Sequence, residues 1–513
     1  MHAKVFSATT IGIDAYPVDV EVDLSTGLIN FFIVGLPDKA IKESKDRIRA
    51  AIRNSNLQFP QRVITVNLAP ANLKKQDILF DVPIAIAILQ ASRFLELSQD
   101  FINETVFLGE LSLDGTIRPV CGVLSIAHAA LKMGKKRIII PKENTREASL
   151  IKGLEVIGVE NLSELVDFLR GSIDVKPTPS TFDSFQGAIK SHPLDFNQVK
   201  GQWQAKRALQ IAAAGRHNIL FIGPPGSGKT MLAKRLATIL PAMSFDEVIQ
   251  TTKIYSIAGQ LNKENLIVHR PFRAPHHTIS QAGLVGGGTN PRPGEISLAN
   301  NGVLFLDELT EFTRSTLEVL RQPLESKQVL ISRANMSVEY PASFLLVAAL
   351  NPCPCGYFGD KNKECSCSLR QIAKYIGKLS GPLLDRIDLH INVMSVNYDE
   401  IKNKDENCKS SKEMFDAVVK AVEFRKKRSK ETPNSYLSSD QVEKFCVLSD
   451  DAEKMIKLAF EKLHLSMRGY HKILKISRTI ADLDCSKIIE QKHICEAIMY
   501  RSLDKKIEEE TWL

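Results

Sequence analysis

The chain contains no apolar run approaching the roughly 18 residues that a membrane-crossing helix needs, and its opening "MHAKVFSATTIG" lacks the long apolar stretch of a secretory leader. These two absences argue against membrane insertion and export, and they make the cytoplasm the expected compartment, with no membrane partner. Strong charge is missing too. Lys+Arg 67 against Asp+Glu 59 leave +8 over 513 residues, a balance that permits nucleic-acid binding without demanding it. The cysteines do not come in an even set: there are nine. In a reducing compartment that number argues against a disulfide framework, and clustered cysteines read better as metal ligands. No internal repeat is visible.

A chain this long exceeds one core and should form about three domains. Val18, Val20, Val22 and Leu24 alternate with Asp19, Glu21 and Asp23, then "FFIV" follows, so two strands are expected. Ile41, Ile48 and Ile52 fall at helical spacing. "RVITVNL" and "KRIIIP" read as strands, and "DVPIAIAIL" as an apolar helix or strand. Residues 1–170 therefore form a mixed α/β domain. From 171 to 192 the chain loses periodicity and gains Pro, Ser and Thr, which marks a linker. A second α/β segment spans 193–396. Residues 397–513 are Lys- and Glu-rich with almost no glycine, and should be mostly helical.

The middle segment carries the clearest chemistry. In "NILFIGPPGSGKTMLAKRLA" an apolar strand runs into Gly223, Pro224, Pro225, Gly226, Ser227, Gly228, Lys229 and Thr230, and then into a helix. That order lets backbone N–H groups and a helix N-terminus converge on phosphate oxygens. Lys229 would reach the β- and γ-phosphates, and Thr230 would hold Mg²⁺. "NGVLFLDEL" ends a strand in Asp307 and Glu308, suited to a Mg²⁺ partner and to a base that orients water. "PASFLLVAALNP" places Asn351 at a further strand tip. Arg386 in "GPLLDRIDLHI" and Arg468 in "LSMRGYHKILK" are candidate cations for a γ-phosphate, supplied from a neighbouring subunit or from the helical region.

Cys353-x-Cys355, nine residues, then Cys365-x-Cys367 offers two ligand pairs joined by a polar return loop. Four thiolates satisfy tetrahedral Zn²⁺; the alternative is four reduced thiols in a loop. The cluster lies between Asn351 and Arg386, so a metal there would be structural. His276 and His277 in "APHHT" lack an acid at metal-site spacing, and the run "FRKKRSKE" (424–431) reads as a solvated helix face.

Taken together, P-loop, acidic strand, Asn-tipped strand, late arginine and helical lid resemble the AAA+ ATPases, in the clade of the magnesium chelatase ATPase subunit and the MCM helicases. "RPFRAPHH", "PGEISLANNGVLFLDEL", "NPCPCG" and "LSGPLLDRIDLHI" are similar to the YifB/ComM group of magnesium-chelatase-like proteins over essentially the whole chain. The resemblance implies ATP and Mg²⁺, a ring-shaped homo-oligomer of hexameric type, and a DNA helicase promoting branch migration during natural transformation. It further implies two hairpins facing a central channel, "LVGGGTNPRPGEIS" and "ISRANMSVEYP", with Arg292 and Arg333 available to DNA phosphates. The alternative within the clade is a chelatase-like or protein-remodelling ATPase.

The segment "LSLDGTIRPVCGVLSIAHAALKMGKKRIIIPKEN" resembles the proteolytic domain of Lon-type proteases. That family needs a serine and a lysine that deprotonates it. Here Phe80 falls near the serine position and Leu124 near the lysine position, so the resemblance implies the fold without the peptidase chemistry. The expected architecture is thus a Lon-protease-like α/β domain, an AAA+ P-loop α/β core and a C-terminal helical lid.

Overall fold

The computed structural model describes every residue except 38, 72, 74, 76–78, 181–193, 262–265, 289–290, 334–335, 361–362, 396–408, 431 and 502–513. The expected linker therefore lies, over 181–192, outside the described residues, as do 397–408 and 502–513 of the expected lid. Among the described residues no helix is long and apolar enough to cross a membrane.

The first unit is a seven-stranded mixed sheet made of β1 (His2–Ile11), β2 (Asp14–Ser25), β3 (Asn30–Val34), β4 (Val63–Ala69), β5 (Thr105–Phe107), β8 (Arg137–Pro141) and β9 (Glu155–Val159). A small hairpin, β6 (Glu110–Leu111) and β7 (Ile117–Arg118), precedes β8. The strand order is β3-β4-β2-β1-β5-β8-β9. Alternation in β2 buries Val18, Val20, Val22 and Leu24 while their acidic neighbours stay accessible, as period-two geometry requires. Ile41, Ile48 and Ile52 form the buried stripe of helix Lys39–Asn54. "DVPIAIAIL" is helical (Asp81–Ala91), and ten of its eleven residues are buried. A segment enclosed on all sides has no polar face, so its sequence shows no period that separates helix from strand. The N-terminal stretch becomes β1, paired with β2 from His2↔Asp23 to Ile11↔Asp14 around Gly12, whose φ is 62°.

The second unit is a five-stranded parallel sheet: β10 (Ile219–Ile222), β11 (Phe272–Arg273), β14 (Val303–Leu306), β17 (Leu345–Leu350) and β18 (Leu389–Asn392), in the order β11-β14-β17-β10-β18. The four longer strands are apolar and buried almost throughout, as a sheet covered on both faces requires. Two hairpins are inserted. One is β12 (Gly286–Gly287) with β13 (Arg292–Pro293), the other β15 (Gln328–Arg333) with β16 (Met336–Pro341). They pack together: a Cβ on Gly286 would lie 2.8 Å from Ile331 Cδ1, and Tyr340 donates its hydroxyl to Pro291 O at 2.8 Å.

The C-terminal region is helical, with helices Ser411–Ser429, Ser439–Phe445, Asp450–Lys462, Met467–Leu483 and Gln491–Met499. Ser410, Ser438, Ser449 and Ser466 each accept a backbone N–H three residues on, satisfying donors that a helix start leaves open. These helices share one core with a face of the parallel sheet, in which Val418, Ile473 and Ile494 join Ile219, Phe221 and Val347. The basic run forms the expected solvated face at Lys426, Lys427 and Lys430, which are exposed, but two of its arginines turn inward. Arg425 is only 6% exposed, and Arg428 bridges both oxygens of Asp482 at 2.9 Å.

Beside this core, Asp388 accepts from His217 Nδ1 at 3.2 Å and lies 3.6 Å from Lys472 Nζ, while His217 Nε2 meets Thr479 Oγ1 at 2.8 Å. Burial pushes the Asp388 carboxyl up, but the His217 hydrogen bond and the Lys472 and Arg501 charges outweigh it and hold the group well below the usual carboxylate range. A carboxylate depressed in this way stabilises the fold above its unfolded pKa, and that contribution is lost as pH falls through the folded one. Asp388→Asn is expected to lower the unfolding free energy by about 2 kcal/mol at neutral pH. Urea unfolding compared at several pH values should show the gap between variant and wild type narrowing below about pH 3.9.

Candidate functional site

Parallel pairing brings the C-terminal ends of β10, β14 and β17 to one rim, with Ile222 opposite Leu350 and Leu306 opposite Ala348. The glycine loop leaves β10 there and enters helix Lys229–Leu236. Gly226 and Gly228 adopt φ of 78° and 91°, left-handed values that glycine takes without steric cost. A Cβ at either would meet nothing within 4 Å, so space lies open beside both residues. Ser227 Oγ is buried there without a hydrogen-bond partner, an unmet donor of the kind a ligand satisfies. At Gly223 the opposite holds, since a Cβ would come within 2.1 Å of Val393 O.

The polar side chains converge on that opening. Lys229 Nζ donates to the carbonyls of Gly223 (2.7 Å) and Pro224 (2.9 Å) and to Asn351 Oδ1 (3.2 Å). Burial lowers its pKa, with Asp307 and Glu308 opposing. Thr230 donates to Asp307 Oδ2 at 2.7 Å. This hydroxyl–carboxylate pair, next to an open nest of N–H groups, is a donor set suited to a hard cation held against phosphate. Glu308 stands at φ 51°, a left-handed value that is uncommon for a residue with a side chain, and its carboxylate is exposed.

His277 was not picked out as part of this site from the sequence. Its Nδ1 lies 3.4 Å from Glu308 Oε2, its ring is 4.1 Å from that of His276, and it meets Phe312 edge-on at 6.4 Å. The acid partner absent at local spacing is thus supplied across the fold. The sequence offered no signal for it, because His277 lies on a segment after β11 whose packing against the end of β14 is set by the fold. Among the described residues, only the four cysteines form a group of three or more potential ligands close enough for one metal.

Arg386 and Arg468 do not join this rim. Arg386 precedes β18, and its carbonyl accepts from Asn218, which precedes β10. It therefore sits at the opposite end of the sheet from its own glycine loop, separated by about 13 Å of strand. Its guanidinium bonds Glu325 and, at 2.5 Å, Pro382 O, beside a cavity of 550 Å³. Arg468 lies at the same end, 3.9 Å from Asp385. Arg292, in β13, is exposed; Arg333 ends β15, and its side chain lies outside the described residues.

The cysteine sulfurs all lie within 4.8 Å of one another. Cys353 is 3.3 Å from Cys355 and 3.6 Å from Cys365, and Cys355 is 3.5 Å from Cys365. Four sulfurs bound at about 2.3 Å to a tetrahedral ion would stand about 3.8 Å apart, so the cluster fits such an ion with little adjustment. The thiols shift in opposite directions: hydrogen bonds led by the Tyr357 N–H pull Cys355 down to about 5, while burial pushes Cys365 up to about 12. The loop also touches the first site, since a Cβ on Gly356 would lie 2.6 Å from Pro225 Cδ. Phe80 and Leu124 are both enclosed apolar residues, 1% and 0% exposed.

A family model described as magnesium chelatase, subunit ChlI, matches residues 195–401; two others, subunit ChlI of Mg-chelatase and its C-terminal part, match 20–144 and 408–501. Competence protein ComM of Haemophilus influenzae is 46% identical over 504 residues, 98% of this chain and 97% of that protein. The uncharacterized protein YifB of Escherichia coli is 41% identical over 502 residues, again 98% and 97%. Lon protease 2 of Bacillus subtilis is 26% identical over 191 residues, 32% of this chain and 34% of that protein.

Proposed function

The chain belongs to the YifB/ComM family of magnesium-chelatase-like AAA+ proteins, and from that premise we propose that it is an ATP-driven ring motor on DNA, a helicase that promotes branch migration as transforming DNA is integrated. The observation carrying this reading is the split of the candidate site. The phosphate-facing groups occupy one end of the sheet and the candidate arginines the other. A site completed by the next copy is what a closed, head-to-tail assembly, taken here as a hexamer, supplies. The name of the Haemophilus relative, a competence protein, points to incoming DNA as the polymer.

In this reading the loop N–H groups and Lys229 hold the phosphates, while Thr230 and Asp307 would hold Mg²⁺. Mg²⁺ neutralises charge developing between the β- and γ-phosphates. Glu308 orients the attacking water, His277 restrains that carboxylate, and Asn351 steadies Lys229. Arg386 and Arg468 reach the nucleotide of the adjoining copy, where a cation offsets charge on the transferred group. Arg292 and Arg333 contact DNA backbone, which gives grip without sequence preference. Cys353, Cys355, Cys365 and Cys367 would hold a structural Zn²⁺, which would stiffen the segment packed against Pro225. A chelatase-like or protein-remodelling ATPase is the second reading, favoured by the three chelatase models that match along the chain.

Four measurements test these assignments. Single-stranded or forked DNA should stimulate ATP hydrolysis, and Glu308→Gln should keep nucleotide binding while hydrolysis falls by at least about 10²-fold. Arg292→Ala should keep basal hydrolysis and lose the stimulation and strand movement on a three-strand substrate; hydrolysis indifferent to DNA favours the second reading. Arg386→Ala should bind nucleotide normally and hydrolyse it about 10³-fold more slowly. Mixing it with Lys229→Ala chains should restore part of the activity, and no rescue at any ratio argues against action between copies. Elemental analysis should find one zinc per chain, lost together with thermal stability when all four cysteines become serine; metal-free wild-type protein would remove the metal.

A further inference from the structure

At the end of the sheet away from the glycine loop, a cavity of 340 Å³ lies between the parallel sheet and the helical region, lined among others by Asp385, His390, Ser466, Arg468, Lys472 and Arg501. His390, in β18, is 3% exposed, and neither of its ring nitrogens has a hydrogen-bond partner. Buried polar atoms are rarely left in this state, and an imidazole holding both nitrogens unpaired marks a place where a partner from outside the chain belongs. Burial, reinforced by Arg501 and Lys472, keeps the ring neutral, so it presents one N–H donor.

The surroundings favour negative charge. The cavity meets the first turn of helix Met467–Leu483, a 17-residue helix capped by Ser466, whose N–H groups and dipole attract anions. Arg468, Lys472 and Arg501 face a single lining carboxylate, Asp385, 3.9 Å from Arg468. Lys472 is also anchored to Ile387 O at 3.3 Å and lies 3.6 Å from Asp388, and Arg501 donates to Ile387 O at 3.0 Å. These bonds hold both cations in place.

We propose that this cavity is a second anion site, separate from the glycine loop, that takes a free phosphate-sized oxyanion, with His390, Arg468 and the first turn of the helix as its donors. The depth of the cavity argues for a free anion. Arg468 stands at the surface with 65% of its side chain exposed, whereas His390 and Arg501 are 3% and 5% exposed. An untethered anion can pass beneath the exposed Arg468 to the buried His390, and Arg468 then closes over it. Inorganic phosphate, the product of hydrolysis, has the required size and charge, and once bound it would tie β18 to the helical region. The site does not depend on DNA being the polymer moved.

The test uses the full-length Lys229→Ala protein, whose glycine loop is weakened for phosphate, titrated with inorganic phosphate at constant ionic strength by calorimetry and thermal unfolding. Saturable one-to-one binding and a midpoint that rises with phosphate but not with chloride are expected. Adding Arg468→Ala or His390→Leu should weaken that binding at least tenfold, and the exposed Arg468 gives an answer even where His390→Leu fails to fold. Absence of saturable binding, or equal affinity in the Arg468→Ala protein, overturns the proposal. A response that needs a second chain with an intact glycine loop and a bound ATP analogue assigns the oxyanion to a neighbour's nucleotide and overturns the free-anion site.

Discussion

Backbone pairing among β10, β14, β17 and β18 is the constraint on which the rest of the molecule depends. Because all four run parallel and in register, whatever follows one strand lies beside whatever follows its neighbour. That alone sets Lys229 against Asn351, 122 residues away, and Thr230 against Asp307, 77 residues away. A slip of one residue in β17 would turn its alternate side chains to the other face and move Asn351 off Lys229. The continuous burial of "VLFL" and "LLVAAL" therefore does two things: it fills the core, and it sets the spacing of polar groups that never touch the core.

The same parallel geometry forces the division of labour between the two ends of the sheet. A residue preceding β18 cannot reach a ligand held at the strands' other ends, so Arg386 serves an external partner or none. Its neighbourhood is rigid in a way that a surface arginine's usually is not. Asp388, two residues on, is held by His217 and Lys472, and His217 is held in turn by Thr479. His217 stands just before β10, the strand that carries the glycine loop. Any rotation of the helical region relative to the sheet must strain this network, which couples the arginine end mechanically to the strand that feeds the phosphate end.

How far the sequence could be read follows from where the information lies. The glycine loop, Asp307 and Glu308 were legible because strand, loop and helix are contiguous and each step has local chemistry. The four cysteines were legible because 15 residues contain both ligand pairs. His277 beside Glu308 was not, because their approach is set by how an inserted segment packs. Nor was the inward turn of Arg428, whose partner Asp482 lies 54 residues on; a lysine- and arginine-rich helix looks the same in sequence whether one of its cations is solvated or bridged. β1 was not read as a strand from the sequence. Its alternation is blurred by Ser7 and Thr9, buried polar residues at 2% and 0% exposure.

The first unit is joined to the second through buried hydrogen bonds. Leu124, expected from the sequence near the lysine position of a Lon-type peptidase, lies at a joint between the two units. Gly122 donates its N–H to Ser256 Oγ at 3.0 Å, Leu124 donates to Glu147 at 2.9 Å, and Ser256 closes the loop onto the same Glu147 oxygen. A lysine that deprotonates a serine needs that hydroxyl beside it. Here the site is sealed by helix Phe245–Ile257, and burial pushes the Glu147 carboxyl up. Lys253 from that helix also reaches His128 at 2.8 Å, and at the far end of β1 the Gly12 turn abuts Val338 of the second hairpin. The unit is thus clamped to the hairpin-bearing half of the sheet at two points. A shift of the hairpins must carry it along or break buried hydrogen bonds, and the second outcome is costly enough that the two units should move as one body.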